Sequence, residues 1–139
     1  MLAAVAVLAI IGAAVWLARD RIEWPEDRAD RLIISNQGGA VFECLFLFDG
    51  WSTRGPEPFG PGVGRTYDIS VAGDRAVSLL GDHDMSERLE AIHCVDPGDP
   101  AAVHVRITPR DVGTARVRDG IVRFVCAVGE GRLGCSASD

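Results

Sequence analysis

Residues 114–136 read TARVRDGIVRFVCAVGEGRLGCS, and two tight-turn signals divide this stretch into three segments. The dipeptides Asp119-Gly120 and Glu130-Gly131 are of the kind that fills two-residue β-hairpin turns. The central segment is rich in β-branched and aromatic side chains, which favour strands. The stretch therefore predicts a three-stranded antiparallel meander over residues 114–118, 121–128 and 132–136.

The second turn places two cysteines opposite each other. In a hairpin that turns at residues 130–131, Cys126 faces Cys135 in a non-hydrogen-bonded pair, whose Cα atoms lie about 4.5 to 5.5 Å apart. That separation suits a disulfide, and Cys44 then pairs with Cys94 by elimination. Two disulfides in a small domain indicate a compartment outside the cytoplasm. Four reduced, buried thiols are the alternative, and no Cys-x-x-Cys or Cys-x-His spacing indicates zinc.

Short apolar or alternating segments continue the β pattern through the chain. Residues 101–108 alternate strictly between apolar and polar side chains, as a half-buried strand does. Residues 41–48 are apolar except for Glu43 and predict a central strand covered on both faces. Further strands are predicted at residues 31–35, 66–71 and 75–80. About seven short strands with Gly and Pro turns predict an all-β domain, a small antiparallel β-sandwich or barrel.

Two segments do not follow this pattern. Residues 49–65 contain three Pro and five Gly and predict a long loop without a regular element. Trp51 and Phe59 within that loop need burial, either on this domain or on a partner. Residues 85–95 are ambiguous, because their apolar residues repeat at helical spacing while a strand ending at Cys94 also fits. We expect a short helix or turn that leads into a strand.

The first eighteen residues, MLAAVAVLAIIGAAVWLA, form an uncharged apolar segment. As a helix, residues 2–18 would cover roughly 25 Å, close to the thickness of a bilayer core. A secretion signal should open with basic residues, and none stands before Arg19. We therefore predict a transmembrane anchor at residues 1–21, a linker at 22–30 and one domain at 31–139. Secretion after cleavage of this segment is the alternative.

Two signals disagree about the side of the membrane on which the domain lies. Arginines follow the span, and the positive-inside rule then favours the cytoplasm. The cysteines favour the opposite side, and we follow the cysteines. All 14 basic residues are arginine, in an Ala- and Gly-rich chain, which is typical of a GC-rich bacterial genome. The predicted location is the inner membrane of a bacterium with a periplasmic domain, and a cytoplasmic domain is the alternative.

The composition excludes several chemistries. A net charge of −6 argues against a nucleic-acid partner. The absence of lysine excludes a P-loop or Schiff-base lysine, and no Gly-x-Ser-x-Gly or His-Glu-x-x-His motif occurs. We expect no enzymatic activity and no cofactor. One alternative is a periplasmic copper-handling protein, because soft ligands that copper prefers occur at His83, Met85, His93 and Cys94.

Three sets of residues are candidates for partner binding. The small residues Ala9, Gly12 and Ala13 would let a neighbouring helix approach the span closely. Trp51 and Phe59 could supply aromatic contacts from the predicted loop. A basic stripe is predicted on the meander, where Arg116 faces Arg123 and Arg118 lies beside them. The sequence thus predicts a single-pass accessory, assembly or stabilising subunit of a bacterial inner-membrane complex.

Overall fold

The computed structural model describes residues 28–72, 75–81, 86–99, 104–115, 120–129 and 131–138. Within these ranges the chain forms nine strands and one short helix, so the all-β prediction is confirmed. The elements are β1 (Arg28–Asn36), β2 (Phe42–Phe48), β3 (Thr53–Phe59), β4 (Gly64–Val71), β5 (Val77–Leu80), β6 (Ser86–Val95), β7 (Val105–Ile107), α1 (Pro109–Thr114), β8 (Ile121–Gly129) and β9 (Arg132–Ser138).

The strands form one open sheet in the order β3-β2-β6-β5-β4-β1-β8-β9, with β7 paired to β6. The described neighbours are antiparallel except for β1 and β8, which run parallel. The sheet changes layers at β6, whose first residues pair with β5 and whose later residues pair with β2. The register against β2 shifts at Phe48, and such a bulge lets one strand serve two packed layers.

The core lies between the two halves of this bent sheet. The rings of Phe46 on β2 and Tyr67 on β4 are 4.8 Å apart between centroids, although these strands are not neighbours in the sheet. The Asn36 side-chain amide of β1 donates to the Phe59 carbonyl of β3 over 2.8 Å. Phe59 also stacks on Phe42 at 5.1 Å. Contacts of this kind show that the β2–β3 edge folds over β1 and β4.

The segment predicted as a long loop is mostly strand. Thr53–Phe59 forms β3, and β4 already begins at Gly64. Pro and Gly are typical of loops, which is why the sequence predicts a loop here. Proline lacks a backbone N–H, and it is tolerated in an edge strand, which is the position that β3 occupies.

The predicted meander is reduced to the β8–β9 hairpin. Thr114 ends a helix instead of starting a strand, and β8 pairs with β1 and β9. The helix begins at Pro109 because Thr108 and Asp111 form a capping box, with Pro at the first helical position. The sequence analysis did not use this capping box and therefore did not predict the helix.

Three further strand predictions need correction. Residues 86–95 form a continuous strand without a preceding helix in the described part. In β2 the burial alternates, so that Leu45 and Leu47 are only half-buried while their neighbours are buried. This strand is interior to the sheet but is covered fully on one face only. β1 begins at Arg28 rather than at Arg31.

Both predicted disulfides are present. Cys44 on β2 is bonded to the directly facing Cys94 on β6, and Cys126 on β8 to the facing Cys135 on β9. The Cα atoms are 4.1 Å apart in each pair. Each bridge therefore fastens two neighbouring strands of the same sheet.

The predicted anchor at residues 1–21 lies outside the described residues. Within the described ranges, no helix has the length and apolar character needed to cross a bilayer.

Candidate functional site

The turn between β2 and β3 carries a fully exposed tryptophan. Trp51 is 98% exposed, and its backbone has a φ of 72°, beside Gly50 with a φ of 82°. Large side chains rarely adopt positive φ, and holding one there costs of the order of 1 to 3 kcal/mol. Residues 49–52, called here the Trp51 turn, thus combine an unfavourable backbone with an aromatic side chain in water.

Hydrogen bonds and an ion pair fix the Trp51 turn on β6. The Phe48 amide donates to the Ser52 carbonyl over 3.0 Å, and the Asp49 amide donates to the Arg88 carbonyl over 3.0 Å. Arg88 Nε lies 3.5 Å from Asp49 Oδ2, and Ser52 Oγ donates to Glu87 over 3.3 Å. These bonds flank Trp51 on both sides, so its side chain projects from a supported turn.

A shallow cavity of about 280 Å³ lies next to this turn. Phe48, Leu79 and Leu80 provide its apolar lining, while Arg54 and Glu87 provide charged side chains. Leu80 is itself 39% exposed. An exposed aromatic side chain near a cavity with apolar and charged lining makes this turn a candidate for binding another molecule.

Arg54 also belongs to a side-chain cluster that joins β3 to β4. Its Nε lies 3.0 Å from Glu57 Oε1, and its guanidinium lies 5.7 Å from the centre of the Tyr67 ring. The Tyr67 hydroxyl donates to the other oxygen of Glu57. Burial raises the pKa of Tyr67 well above its usual value, and the bond to Glu57 raises it further. The cluster thus links β3 to β4, which are not neighbours in the sheet.

The raised pKa of Tyr67 predicts a loss of stability at alkaline pH. Above about pH 10 the unfolded chain loses the tyrosine proton while the folded chain keeps it, so unfolding becomes easier as the pH rises. Tyr67 is the only tyrosine and the chain has no lysine. Its phenolate absorbance should therefore appear near pH 10 in urea but only at higher pH in the native protein. Tyr67→Phe should flatten the pH dependence of unfolding in this window, and an unchanged slope would contradict the assignment.

Other predicted partner residues have different positions. Phe59 is fully buried against Phe42, so its side chain belongs to the domain's own core. Arg123 is exposed, but it faces Ile33 of β1 and Ser138 of β9. The prediction that Arg116 faces Arg123 is therefore wrong. Five predicted partner residues lie outside the described residues: Ala9, Gly12, Ala13, Arg116 and Arg118.

The residues proposed as copper ligands are not assembled by the described part of the fold. Cys94 is bonded to Cys44, and His93 points to the opposite face of β6, opposite Arg106 of β7. Burial lowers the pKa of His93, and the charge of Arg106 lowers it further. His83 and Met85 lie outside the described residues. Among the described side chains, no three His, Cys, Asp or Glu residues are grouped to hold a metal.

Sequence analysis missed the residues that support Trp51. Glu87 and Arg88 lie in the segment for which a helix or turn was expected, so their contacts with the β2–β3 turn were not predicted. The available signal was the apolar–polar–apolar order of Leu89, Glu90 and Ala91, which are buried, exposed and buried in the strand.

Comparisons with known proteins give no assignment. No protein-family model, no curated protein and no solved structure matches the chain. What the protein does is therefore inferred from its own residues.

Proposed function

We propose that the protein is a non-enzymatic, single-pass accessory subunit that helps to assemble or stabilise a larger complex in a bacterial inner membrane. Residues 1–21 anchor it, and the disulfide-bonded β domain lies in the periplasm. The Trp51 turn is its contact with a neighbouring subunit. The observation that carries this proposal is the 98% exposure of Trp51 on a turn that hydrogen bonds hold in place.

The conformation of Trp51 supports a binding role. A glycine or asparagine would occupy the positive φ with less strain, and a polar side chain would be better solvated there. Almost all of the indole surface is in water, so the side chain contributes little to the domain's own core. Buried at an interface, the same side chain would contribute strongly, because tryptophan is enriched among interface hot spots.

The N-terminal segment and the disulfides support the location. Ala9, Gly12 and Ala13 would let a partner helix pack closely against the span. Disulfides persist in oxidising compartments such as the periplasm. A span and the Trp51 turn together would give the protein two contacts with the same partner.

Association with a membrane complex tests this role. We expect Trp51→Ala to reduce recovery of partner subunits from mild detergent by at least about tenfold, which corresponds to a hot-spot loss of more than about 1.4 kcal/mol. Gly12→Leu should weaken the same association by obstructing helix approach. Circular dichroism should show that both variants keep their β structure.

Val41→Ala is the matched control for this test. Val41 is 44% exposed and precedes β2 at the end opposite the Trp51 turn. This change should leave partner recovery unaltered. The proposal is wrong if Trp51→Ala unfolds the domain, or if Trp51→Ala and Val41→Ala give equal recovery.

A further inference from the structure

The two ends of the sheet differ in how they are protected against strand pairing. At one end, β3 carries Pro56 and Pro58, which have no N–H to offer a further strand. At the other end, β9 reads RLGCSAS and contains no proline. Its only charged residue is Arg132, at its start. An edge strand without proline, bulge or inward charge is open to pairing with another strand.

The geometry of the hairpin identifies the free backbone groups of β9. Gly129 and Arg132 flank the two-residue turn and form a hydrogen-bonded pair, so the residues that bond to β8 alternate from there. The N–H and C=O groups of Leu133, Cys135 and Ala137 consequently point away from β8. Within the described ranges, no backbone hydrogen bond reaches these three residues from outside the sheet ladder.

The same three residues direct their side chains toward the core. Leu133 is buried and Cys135 is half-buried, yet Ala137 is exposed although it faces the buried Phe124. A groove of about 310 Å³ opens at this point between β7 and α1 on one side and β8 and β9 on the other. Val105, Ile107 and Ala115 line its far wall. Among the described residues, this groove adjoins the outward edge of β9 at Cys135 and Ala137.

We propose that β9 is a dimerisation edge, at which the β9 strand of a second copy of this chain adds in antiparallel orientation. In a two-fold arrangement centred on Cys135, Leu133 of each copy lies opposite Ala137 of the other. The backbone N–H and C=O groups of these residues that point away from β8 would then form hydrogen bonds between the two copies across the two-fold axis. One sheet would run through both copies.

The sequence of β9 fits this occupant. An added β9 strand places its core-facing Leu133, Cys135 and Ala137 on the same face of the sheet as those of the first copy, so the apolar faces of the two strands are continuous. Gly134 and Ser136, which point away from the core, are small enough to allow close approach. The two Arg132 side chains would lie at opposite ends of the pairing, so like charges do not meet. The Cys126–Cys135 disulfide holds the edge in place on β8.

This interface shares no residue with the Trp51 turn, which is held on β6. The molar mass of the full chain in mild detergent tests it, by sedimentation equilibrium over a range of protein concentrations. The wild-type chain should be in monomer–dimer equilibrium. Ala137→Pro removes one outward N–H from each copy and leaves the β8 ladder complete, so we expect the dimer dissociation constant to rise about tenfold.

Three variants make the result interpretable. Ser136→Ala changes an outward side chain without removing a backbone donor and should leave the dimer intact. Gly12→Leu should also leave it intact, which separates β9 pairing from pairing of the spans. Ala137→Asp places a carboxylate at the groove and should weaken the dimer even if the proline variant does not fold.

Several outcomes would overturn the proposal. A chain that stays monomeric at its solubility limit has no dimerisation edge. A dimer that persists in Ala137→Asp, or that disappears in Gly12→Leu alone, is held elsewhere. Loss of a different protein from the purified material, without any change in self-association, would assign the edge to another partner.

Discussion

Removing the Cys44–Cys94 disulfide with Cys44→Ala/Cys94→Ala is expected to lower the free energy of unfolding by about 4 kcal/mol. The bridge joins residues 50 positions apart, so breaking it releases a large loop in the unfolded chain. Both cysteines are fully buried and face each other across β2 and β6. The bond therefore fastens the strand at which the sheet changes layers. Urea unfolding of the full chain in detergent, followed by circular dichroism, measures the loss.

The second disulfide supplies the matched control. Cys126→Ala/Cys135→Ala removes the same atoms, but the bridge spans only 9 positions, so we expect a loss of about 2.5 kcal/mol. Reductant should have no further effect on a variant that lacks all four cysteines. Equal losses from the two double variants, or a larger loss from the β8–β9 pair, would contradict the loop-closure explanation.

Phe46→Ala should cost about 3 to 5 kcal/mol of unfolding free energy, as large aromatic truncations in cores do. Phe46 is fully buried on β2, and its ring contacts Tyr67 of β4 across the core. Truncation leaves a cavity where the two halves of the sheet meet. Leu45→Ala is the comparison, because this neighbouring side chain is only half-buried on the opposite face of β2. If Leu45→Ala cost as much as Phe46→Ala, the assignment of the inner face would be wrong.

Local signals allowed the correct prediction of several elements. The Glu130-Gly131 turn determined the β8–β9 register, and with it the Cys126–Cys135 bridge. Short segments rich in apolar and β-branched residues identified β1, β2, β4 and β5. A bias of this kind needs no knowledge of distant partners, so a single sequence is sufficient to detect it.

Features that depend on distant pairing were missed. β3 is a strand because it pairs with β2, despite Pro56 and Pro58. The parallel pairing of β1 with β8 joins segments about ninety residues apart, and no local signal specifies it. At the candidate site, the sequence left two alternatives for Trp51, burial on its own domain or burial on a partner. Its positive φ and its support by Arg88 depend on the turn and on β6, which only the structure brings together.

The proposed contact between the Trp51 turn and a neighbouring subunit can be tested most directly by photo-crosslinking in native membranes. A photo-activatable phenylalanine derivative replaces Trp51 in one full-length variant and Val41 in another. We predict one discrete protein adduct from position 51, and no such adduct from position 41 at the opposite end of β2. The absence of any protein adduct from position 51, or the same adducts from both positions, would contradict the account.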